Sequence, residues 1–201
     1  MKRIIVLAFM AWAITLVAGN AMADSIAGRF GMTGRIGFLI PADNDFNDRK
    51  LETDAGFVGG GGFIYGIDKN LAAEIDVTRT EFGSNLVSGP DQGDFGITNI
   101  SLGVQYRFMI TPQQLVPYAG GGLDILLNDY KRENRTKPDV DTVVGVHLAG
   151  GIDYFVLKQL ALNAEAKAVI APEADINQPG NSGHFDPSSF SGTFGVRLFF
   201  N

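Results

Sequence analysis

The chain ends on the twelve residues Ser189–Phe200, SFSGTFGVRLFF, in which bulky apolar side chains alternate with small or polar ones. Successive side chains of a β-strand point to opposite faces. One face therefore carries Phe190, Gly192, Phe194, Val196, Leu198 and Phe200, and the other carries Ser191, Thr193, Gly195, Arg197 and Phe199. A strand with one apolar face and an aromatic pair at its end is typical of the closing strand of a transmembrane β-barrel.

Seven other segments repeat this alternation, and the eight together cover residues 26–40, 54–66, 71–82, 95–108, 115–127, 142–156, 160–171 and 189–200. The connections between them measure 13, 4, 12, 6, 14, 3 and 17 residues, so that long and short connections alternate. Bacterial outer-membrane barrels join their strands in this way, with the turns in the periplasm and the loops outside. The sequence predicts an eight-stranded antiparallel transmembrane β-barrel with short periplasmic turns and long extracellular loops, in the outer membrane of a Gram-negative cell.

The first 23 residues have the features of a signal peptide. Lys2 and Arg3 precede an apolar run over residues 4–19, and Ala21-Met22-Ala23 forms a small-x-small cleavage pattern. A transmembrane anchor helix is the alternative, but the run is shorter than the roughly 20 residues that span a bilayer. We therefore expect a signal peptide over residues 1–23 and an outer-membrane β-barrel domain over residues 24–201.

Composition excludes several classes of function. The chain has 16 basic residues, 22 acidic residues and no cysteine, and the predicted signal peptide contains two of the basic residues. The negative charge of the remaining chain argues against nucleic acid as a partner. The absence of cysteine excludes disulfides, thiolate metal sites and thiol nucleophiles. We expect no cofactor and no bound metal.

The apolar face of the eight segments carries no charged residue near its middle. Aromatic residues of this face cluster at the predicted periplasmic ends, where a membrane barrel has an aromatic girdle. These residues are Phe30, Phe63, Tyr65, Tyr106, Phe108, Tyr154 and Phe200. A soluble lipocalin-like barrel has the same alternation with its faces exchanged, but the signal peptide, the girdle and the unequal connections favour the membrane barrel.

The opposite face carries ionisable residues that we expect to form a charge network inside the lumen. They are Arg29, Arg35, Glu74, Asp76, Arg107, Asp124, His147, Asp153, Glu165, Lys167 and Arg197. Charges removed from water are tolerated when they are paired, and an eight-stranded barrel is just wide enough for its own side chains. Neighbouring segments suggest the pairs Glu74 or Asp76 with Arg107, Asp124 with His147, and Glu165 with Arg197. A lumen filled by ion pairs and a narrow gated pathway both remain open.

Signals for catalysis and for metal binding are weak. His147 has no serine beside it on its face, which favours a role in the buried network. His184 lies in a loop with Asp186 and Ser188, where a lipid A-modifying enzyme would need a base and a hydroxyl, but such residues are common in loops. The first loop, from Asp43 to Asp54, approaches a calcium-loop spacing without the required glycine and glutamate. We therefore predict that the protein is not an enzyme.

Basic residues near the predicted extracellular side suggest contact with lipopolysaccharide, whose lipid A phosphates lie at that level. They are Arg79, Lys131, Arg132, Arg135 and Lys137. Further expected partners are the lipids of the outer membrane and, through the C-terminal strand, the barrel-assembly machinery.

Several stretches resemble the small outer-membrane β-barrel superfamily, among them NLAAEIDV after the GIDK turn, ISLGVQYRF, VPYAGGGLD, VHLAGGIDYFV and the closing FGVRLFF. They are most similar to the OmpW type, with the OmpA and OmpX barrels as relatives. The resemblance implies a monomeric barrel and, for the OmpW type, a path for small hydrophobic molecules. About ten charges in the lumen do not suit such a path. We therefore expect a structural or surface-interaction role, with limited passage of small hydrophobic molecules, an adhesin-like role of the loops and a lipid A-modifying activity as alternatives.

Overall fold

A computed structural model describes residues 25–41, 44–46, 49–51, 55–83, 94–110, 114–131, 142–172, 174–178, 181–185 and 187–200. In chain order the strands are β1 Phe30–Pro41, β2 Asn44–Phe46, β3 Arg49–Leu51, β4 Gly56–Gly66, β5 Leu71–Gly83, β6 Asp94–Arg107, β7 Leu115–Lys131, β8 Val143–Leu157, β9 Leu160–Ile170, β10 Ala174–Gln178, β11 Asn181–Phe185 and β12 Ser189–Phe200. Within these ranges, no helix is long and apolar enough to cross a membrane. The predicted signal peptide lies outside the described residues.

Eight of these strands form a closed antiparallel barrel in the order β1-β12-β9-β8-β7-β6-β5-β4. The first and last strands close it along their whole length, from Phe30 opposite Phe200 to Pro41 opposite Ser189. The predicted eight-stranded barrel is therefore confirmed. The first and last predicted long loops are partly regular, however, since β2 pairs with β3 and β10 pairs with β11.

The first predicted segment begins too early, because residues 25–29 turn across the mouth of the barrel instead of extending β1. Gly28 has a φ of 73°, which a residue without Cβ adopts freely. The amide of Arg29 donates to the carbonyl of Ile26 at 2.9 Å, and the amide of Gly28 donates to the carbonyl of Gly66 at 2.7 Å. This turn directs Ile26 into the barrel, where its side chain is 1% exposed.

The side chains of the barrel have the opposite arrangement to those of a soluble protein. Leu148 is 72% exposed and Phe194 is 66% exposed, whereas Arg107, Asp153 and Arg197 are fully buried. Water would make the apolar exterior unfavourable, whereas a bilayer makes it favourable. Burial therefore assigns the apolar face to lipid and excludes the lipocalin-like alternative.

Exposed aromatic side chains lie at both ends of the apolar exterior. The seven predicted girdle residues all lie at the end that carries the short turns, where Phe30 is opposite both Tyr65 and Phe200. The rings of Phe30 and Tyr65 are 4.6 Å apart, and those of Tyr106 and Phe108 are 5.1 Å apart. A second exposed group at the loop end, which the sequence analysis did not identify, contains Phe38, Phe57 and Phe190.

The turn end of the lumen is closed by an apolar floor. Seven buried residues from the N-terminal turn and six strands form it: Ile26, Ile64, Ala72, Val116, Phe155, Ala161 and Phe199. The rings of Phe155 and Phe199 stack at 5.7 Å. The Arg29 guanidinium lies 5.6 Å from the centre of the Phe199 ring and donates to the carbonyl of Lys158 at 3.1 Å. The lumen therefore has no polar opening at this end among the described residues.

Strand β4 contributes little side-chain volume to the interior at the level of the predicted charges. A Cβ at Gly62 would collide with the carbonyl of Ile75 and the carboxylate of Asp76 on β5. The glycine at this position therefore leaves room for the Asp76 carboxylate and for close approach of β5. This explains why glycine occupies position 62 of this membrane-spanning strand.

Replacement of Leu148 by Arg tests the assignment of the exterior. A charge near the middle of β8 would face hydrocarbon, so we expect the variant to lose about 2–4 kcal/mol in the free energy of unfolding. Denaturant titration of the protein in lipid vesicles would measure this loss, with Leu148→Ala as the control for lost apolar area. An Arg variant as stable as the Ala variant would contradict the lipid-facing assignment.

Candidate functional site

The lumen above the apolar floor contains a network of buried charges centred on Arg197 of β12. Its Nη1 lies 2.9 Å from Asp153 Oδ2 on β8, and its Nη2 lies 2.9 Å from Glu74 Oε1 on β5. Arg197 and Asp153 have no exposed side-chain area. The planar guanidinium thus bridges strands on two sides of the barrel, as its fork of donors allows.

Arg35 of β1 forms the second bridge. Its Nη1 lies 2.6 Å from Glu165 Oε1 on β9, while its Nη2 lies 2.6 Å from Glu74 Oε1 and 3.0 Å from Asp76 Oδ1. Glu74 is therefore shared by the arginines of the first and last barrel strands. The two strands that meet at the closure point are both tied to β5.

Arg107 of β6 completes this set, which we call the floor-side cluster: Arg35, Glu74, Asp76, Arg107, Asp153, Glu165 and Arg197. Arg107 Nη2 lies 2.8 Å from Asp153 Oδ2, and both side chains are fully buried. Breaking a buried pair by removing one partner typically costs about 3–5 kcal/mol, because the other charge remains desolvated. Each carboxylate of this cluster therefore compensates the buried charge of its arginine neighbours.

Neutral side chains donate further hydrogen bonds to the same carboxylates. The Tyr118 hydroxyl donates to Glu165 Oε2 at 2.7 Å, and Asn163 Nδ2 donates to Asp153 Oδ1 at 2.7 Å. Gln105 Nε2 donates to Glu74 Oε2 at 2.7 Å.

The Tyr118 ring also lies 4.9 Å from the Arg197 guanidinium and 6.0 Å from that of Arg107. This ring provides a cation–π contact to two arginines.

A second group, the loop-side cluster, surrounds Asp124 of β7. His147 Nδ1 lies 2.5 Å from Asp124 Oδ2, and Lys167 Nζ donates to Asp124 Oδ1 at 2.8 Å. Lys167 also donates to Ser101 Oγ at 2.9 Å, and Asn99 Nδ2 donates to Asp124 Oδ1 at 2.8 Å. One carboxylate thus holds the lysine, the imidazole and an amide together.

Two small cavities lie beside the clusters in the part of the lumen that the structure describes. The central one, of about 30 Å³, lies between them and is lined by Glu74, Asp76, Ser101, Gln105, Tyr118, His147, Glu165 and Lys167, together with glycines and small side chains. The other, also of about 30 Å³, lies towards the loops and shares Asp76, Ser101, Glu165 and Lys167 with the first. Each has room for about two water molecules. The described residues contain no group of three or more His, Cys, Asp or Glu side chains that could hold a metal ion.

Ten of the eleven residues predicted for the lumen lie in these two clusters, and Arg29 lies at the apolar floor. Only part of the predicted pairing was correct. Asp124 contacts His147 as predicted. Glu165 lies 3.9 Å from Arg197 but has a much shorter contact with Arg35.

The predicted pairing of Arg107 with Glu74 or Asp76 was wrong, since Arg107 binds Asp153. Residue 103 lies opposite Glu74 in the register of β5 and β6, which places Arg107 four residues further along its strand. The backbone amide of Arg107 donates to the carbonyl of Asn70, before β5 begins. The position of two residues on neighbouring strands was therefore not enough to predict that their side chains contact each other.

The residues predicted to contact lipopolysaccharide are only partly described. Arg79 faces outward, with Nε 3.1 Å from Glu81 Oε1 and Nη1 donating to Thr98 Oγ1 at 3.1 Å. For Lys131 only the backbone, at the end of β7, is described, and Arg132, Arg135 and Lys137 lie outside the described residues.

The loop residues considered for catalysis are also incompletely described. His184 is opposite Asp175 in the β10–β11 pair, but its side chain and Asp186 lie outside the description. The Ser188 hydroxyl donates to the carbonyl of Ala171 at 3.3 Å. The side chains of the calcium-like stretch from Asp43 to Asp54 also lie outside the description.

Sequence reasoning missed several neutral members of the network and the floor. Tyr118 has the same strand parity as Asp124, and Asn163 has the same parity as Glu165, so the alternation already indicated that they face inward. Ile26 gave no such signal, because the turn at Gly28 removes it from the periodicity of β1.

A closed barrel with an apolar exterior, aromatic rims and ion-paired charges inside defines the class of transmembrane β-barrels. The chain belongs to the outer membrane protein β-barrel domain family, whose model matches residues 9–197. It is an outer-membrane protein, as the sequence predicted. No curated protein sequence matches the chain.

Solved structures of outer-membrane barrels share the fold. OprG from Pseudomonas aeruginosa is 18% identical with a TM-score of 0.68, over 87% of this chain and 97% of that one. Neisserial surface protein A is 19% identical with a TM-score of 0.64, over 85% and 97%. Outer membrane protein W of E. coli is 17% identical with a TM-score of 0.50, over 87% and 98%. The resemblance to small outer-membrane barrels, with the OmpW type among them, is confirmed.

Replacement of Arg197 by Met tests the energetic role of the network. The variant leaves Glu74 and Asp153 with one fewer partner in a desolvated lumen, so we expect a loss of about 3–5 kcal/mol in the free energy of unfolding. Arg79→Met is the matched control, because an exposed ion pair such as that of Arg79 with Glu81 contributes about 0–1 kcal/mol. Denaturant titration in phosphatidylcholine vesicles measures both, and equal losses would contradict the buried-network account.

Proposed function

We propose that this protein is a closed outer-membrane barrel with a structural or surface-interaction role, in which the barrel anchors the extracellular loops and does not conduct ions. The single observation that carries this proposal is the filled lumen. Arginine bridges cross the interior above the apolar floor, and the two cavities described among the lumen residues are about 30 Å³ each. A hydrated ion moving through this space would have to displace paired charges and then apolar side chains.

Passage or binding of small hydrophobic molecules is the second candidate function. It is supported by six apolar side chains around the cavity nearest the loops: Leu39, Val58, Ile97, Leu126, Val169 and Pro187. A hydrophobic molecule entering from the loop end would meet these side chains before it reached the charged clusters. A fluorescent hydrophobic probe would test this candidate, since saturable binding that is lost on Val58→Asp replacement would support it.

The surface role includes contact with lipid A phosphates, for which Arg79 is the described candidate. Its side chain is 42% exposed and belongs to the lipid-facing surface near the loop end of β5. If this contact forms, Arg79→Gln should reduce the lipopolysaccharide that remains bound after detergent extraction.

An adhesin-like role would instead depend on the extracellular loops, and their deletion one at a time would abolish binding while the barrel stays folded.

Current measurements in a planar bilayer test the closed lumen. We expect no discrete conductance steps after insertion of the purified protein, because the ion-pair layer and the floor both block the pathway. Folding of the purified protein is verified by the change in gel mobility that a folded barrel shows on boiling, and a porin added to the same membrane serves as the positive control. Reproducible steps from the verified protein would overturn the proposal.

A further inference from the structure

The described lumen above the apolar floor contains one more carboxylate than it has fixed positive charges. The cations are Arg35, Arg107, Lys167 and Arg197, and the carboxylates are Glu74, Asp76, Asp124, Asp153 and Glu165. His147 is the remaining ionisable group, and its Nδ1 contacts Asp124. An uncompensated charge in a desolvated interior is strongly unfavourable, so the lumen requires one further positive charge.

The least compensated of these negative charges lies at Asp76. Glu74 has contacts with two arginines, Asp153 has contacts with two arginines, and each also accepts from a neutral amide. Glu165 binds Arg35 and accepts from the Tyr118 hydroxyl, and Asp124 has three donors. Every carboxylate of the lumen except Asp76 is thus held by at least two separate donor groups.

Among the described residues, the cation in contact with Asp76 is Arg35, whose Nη2 donates to Asp76 Oδ2 at 3.2 Å while it is 2.6 Å from Glu74 Oε1. Oδ1 of Asp76 is buried and accepts no hydrogen bond, although it lies at ion-pair distance from the same nitrogen. The residue is 7% exposed, and it lines both cavities. Its carboxylate is therefore the least compensated of the described lumen, and it lies where internal water can reach it.

We infer that Asp76 is a proton-binding site, at which a proton taken from cavity water compensates the excess charge of the lumen. The charged groups around this carboxyl are Arg35 on β1, Glu74 beside it on β5, and Glu165 with Lys167 on β9. Arg197 reaches Glu74 from β12, and His147 of β8 lines the same central cavity. On β4 the nearest residue is Gly62, which contributes no charge.

A proton fits this site better than a metal cation. Lys167 lines both cavities that Asp76 lines, and its ammonium group would repel a second cation there. Each cavity has room for about two waters, which is too small for a hydrated ion. A proton converts the carboxylate into a neutral group and adds a hydrogen-bond donor. This inference goes beyond the proposed function, because it concerns the charge state of the lumen and not the role of the loops.

The pH dependence of unfolding provides the test. The folded barrel holds a proton that Asp76 of the unfolded chain releases, so stability must decrease as pH rises. Between mildly acidic and neutral pH, we expect the unfolding equilibrium constant of the wild-type protein to rise by up to about 10-fold per pH unit. Asp76→Asn should abolish this dependence, because the amide is neutral at every pH. His147→Gln should retain it, which separates the carboxyl from the imidazole.

Asp153→Asn is the matched control, since it makes the same chemical change at a carboxylate with two arginine partners. We expect it to raise the unfolding equilibrium constant by about 100-fold or more while the pH dependence remains. Denaturant titration in lipid vesicles measures all four proteins. Persistence of the pH dependence in Asp76→Asn, or its absence from the wild-type protein, would overturn the inference.

Two further measurements keep the inference testable if Asp76→Asn does not fold. Carbon-13 NMR of the wild-type protein in micelles should show one buried aspartate with the carboxyl shift of the protonated form at neutral pH. Exchange of sodium for choline at constant ionic strength should leave the stability unchanged. A fully ionised set of carboxylates would contradict a bound proton, and a stability that follows sodium concentration would assign the compensating charge to a metal cation.

Discussion

Arg197 is fully buried between Asp153 on one side of the barrel and Glu74 on the other, and the rest of the interior depends on this double ion pair. A charge inside a membrane barrel must be paired, since neither lipid nor the small cavities can solvate it. Tyr118, Asn163 and the glycine tract of β4 are consistent with this requirement. Tyr118 supplies a cation–π contact to Arg197, and Tyr118 and Asn163 donate hydrogen bonds to the carboxylates. The glycine at position 62 leaves space for the Asp76 carboxylate.

The network also connects parts of the chain that are distant in sequence. Arg35 binds Glu165, 130 residues away, and Arg197 binds Glu74, 123 residues away. Both arginines lie on the strands that meet at the closure of the barrel, and both bind Glu74. The contacts of Arg35 and Arg197 therefore require the first and last barrel strands to be in place, which links this part of the filled lumen to barrel closure. A surface role for the loops would depend on this rigid support.

Alternation along the strands predicted the barrel, its exterior and the membership of the lumen, because a period of two assigns each residue to a face. It did not predict which inward charges meet, since contacts across a lumen depend on register and strand tilt. Arg107 illustrates this limit, because the register of β5 and β6 carries it past Glu74 to Asp153. The apolar floor could be predicted only in part. Ile26 precedes the first strand, and the turn at Gly28 directs its side chain into the lumen.

The coupling between Arg197 and Asp153 tests the central claim most directly. A double-mutant cycle with Arg197→Met, Asp153→Leu and the combined variant would measure it, with unfolding free energies determined in lipid vesicles. The account predicts a favourable coupling energy of about 2–3 kcal/mol, because two apolar side chains leave fewer unpaired charges than either single variant does. A coupling energy near zero would contradict it, since the lumen would then be closed by packing alone.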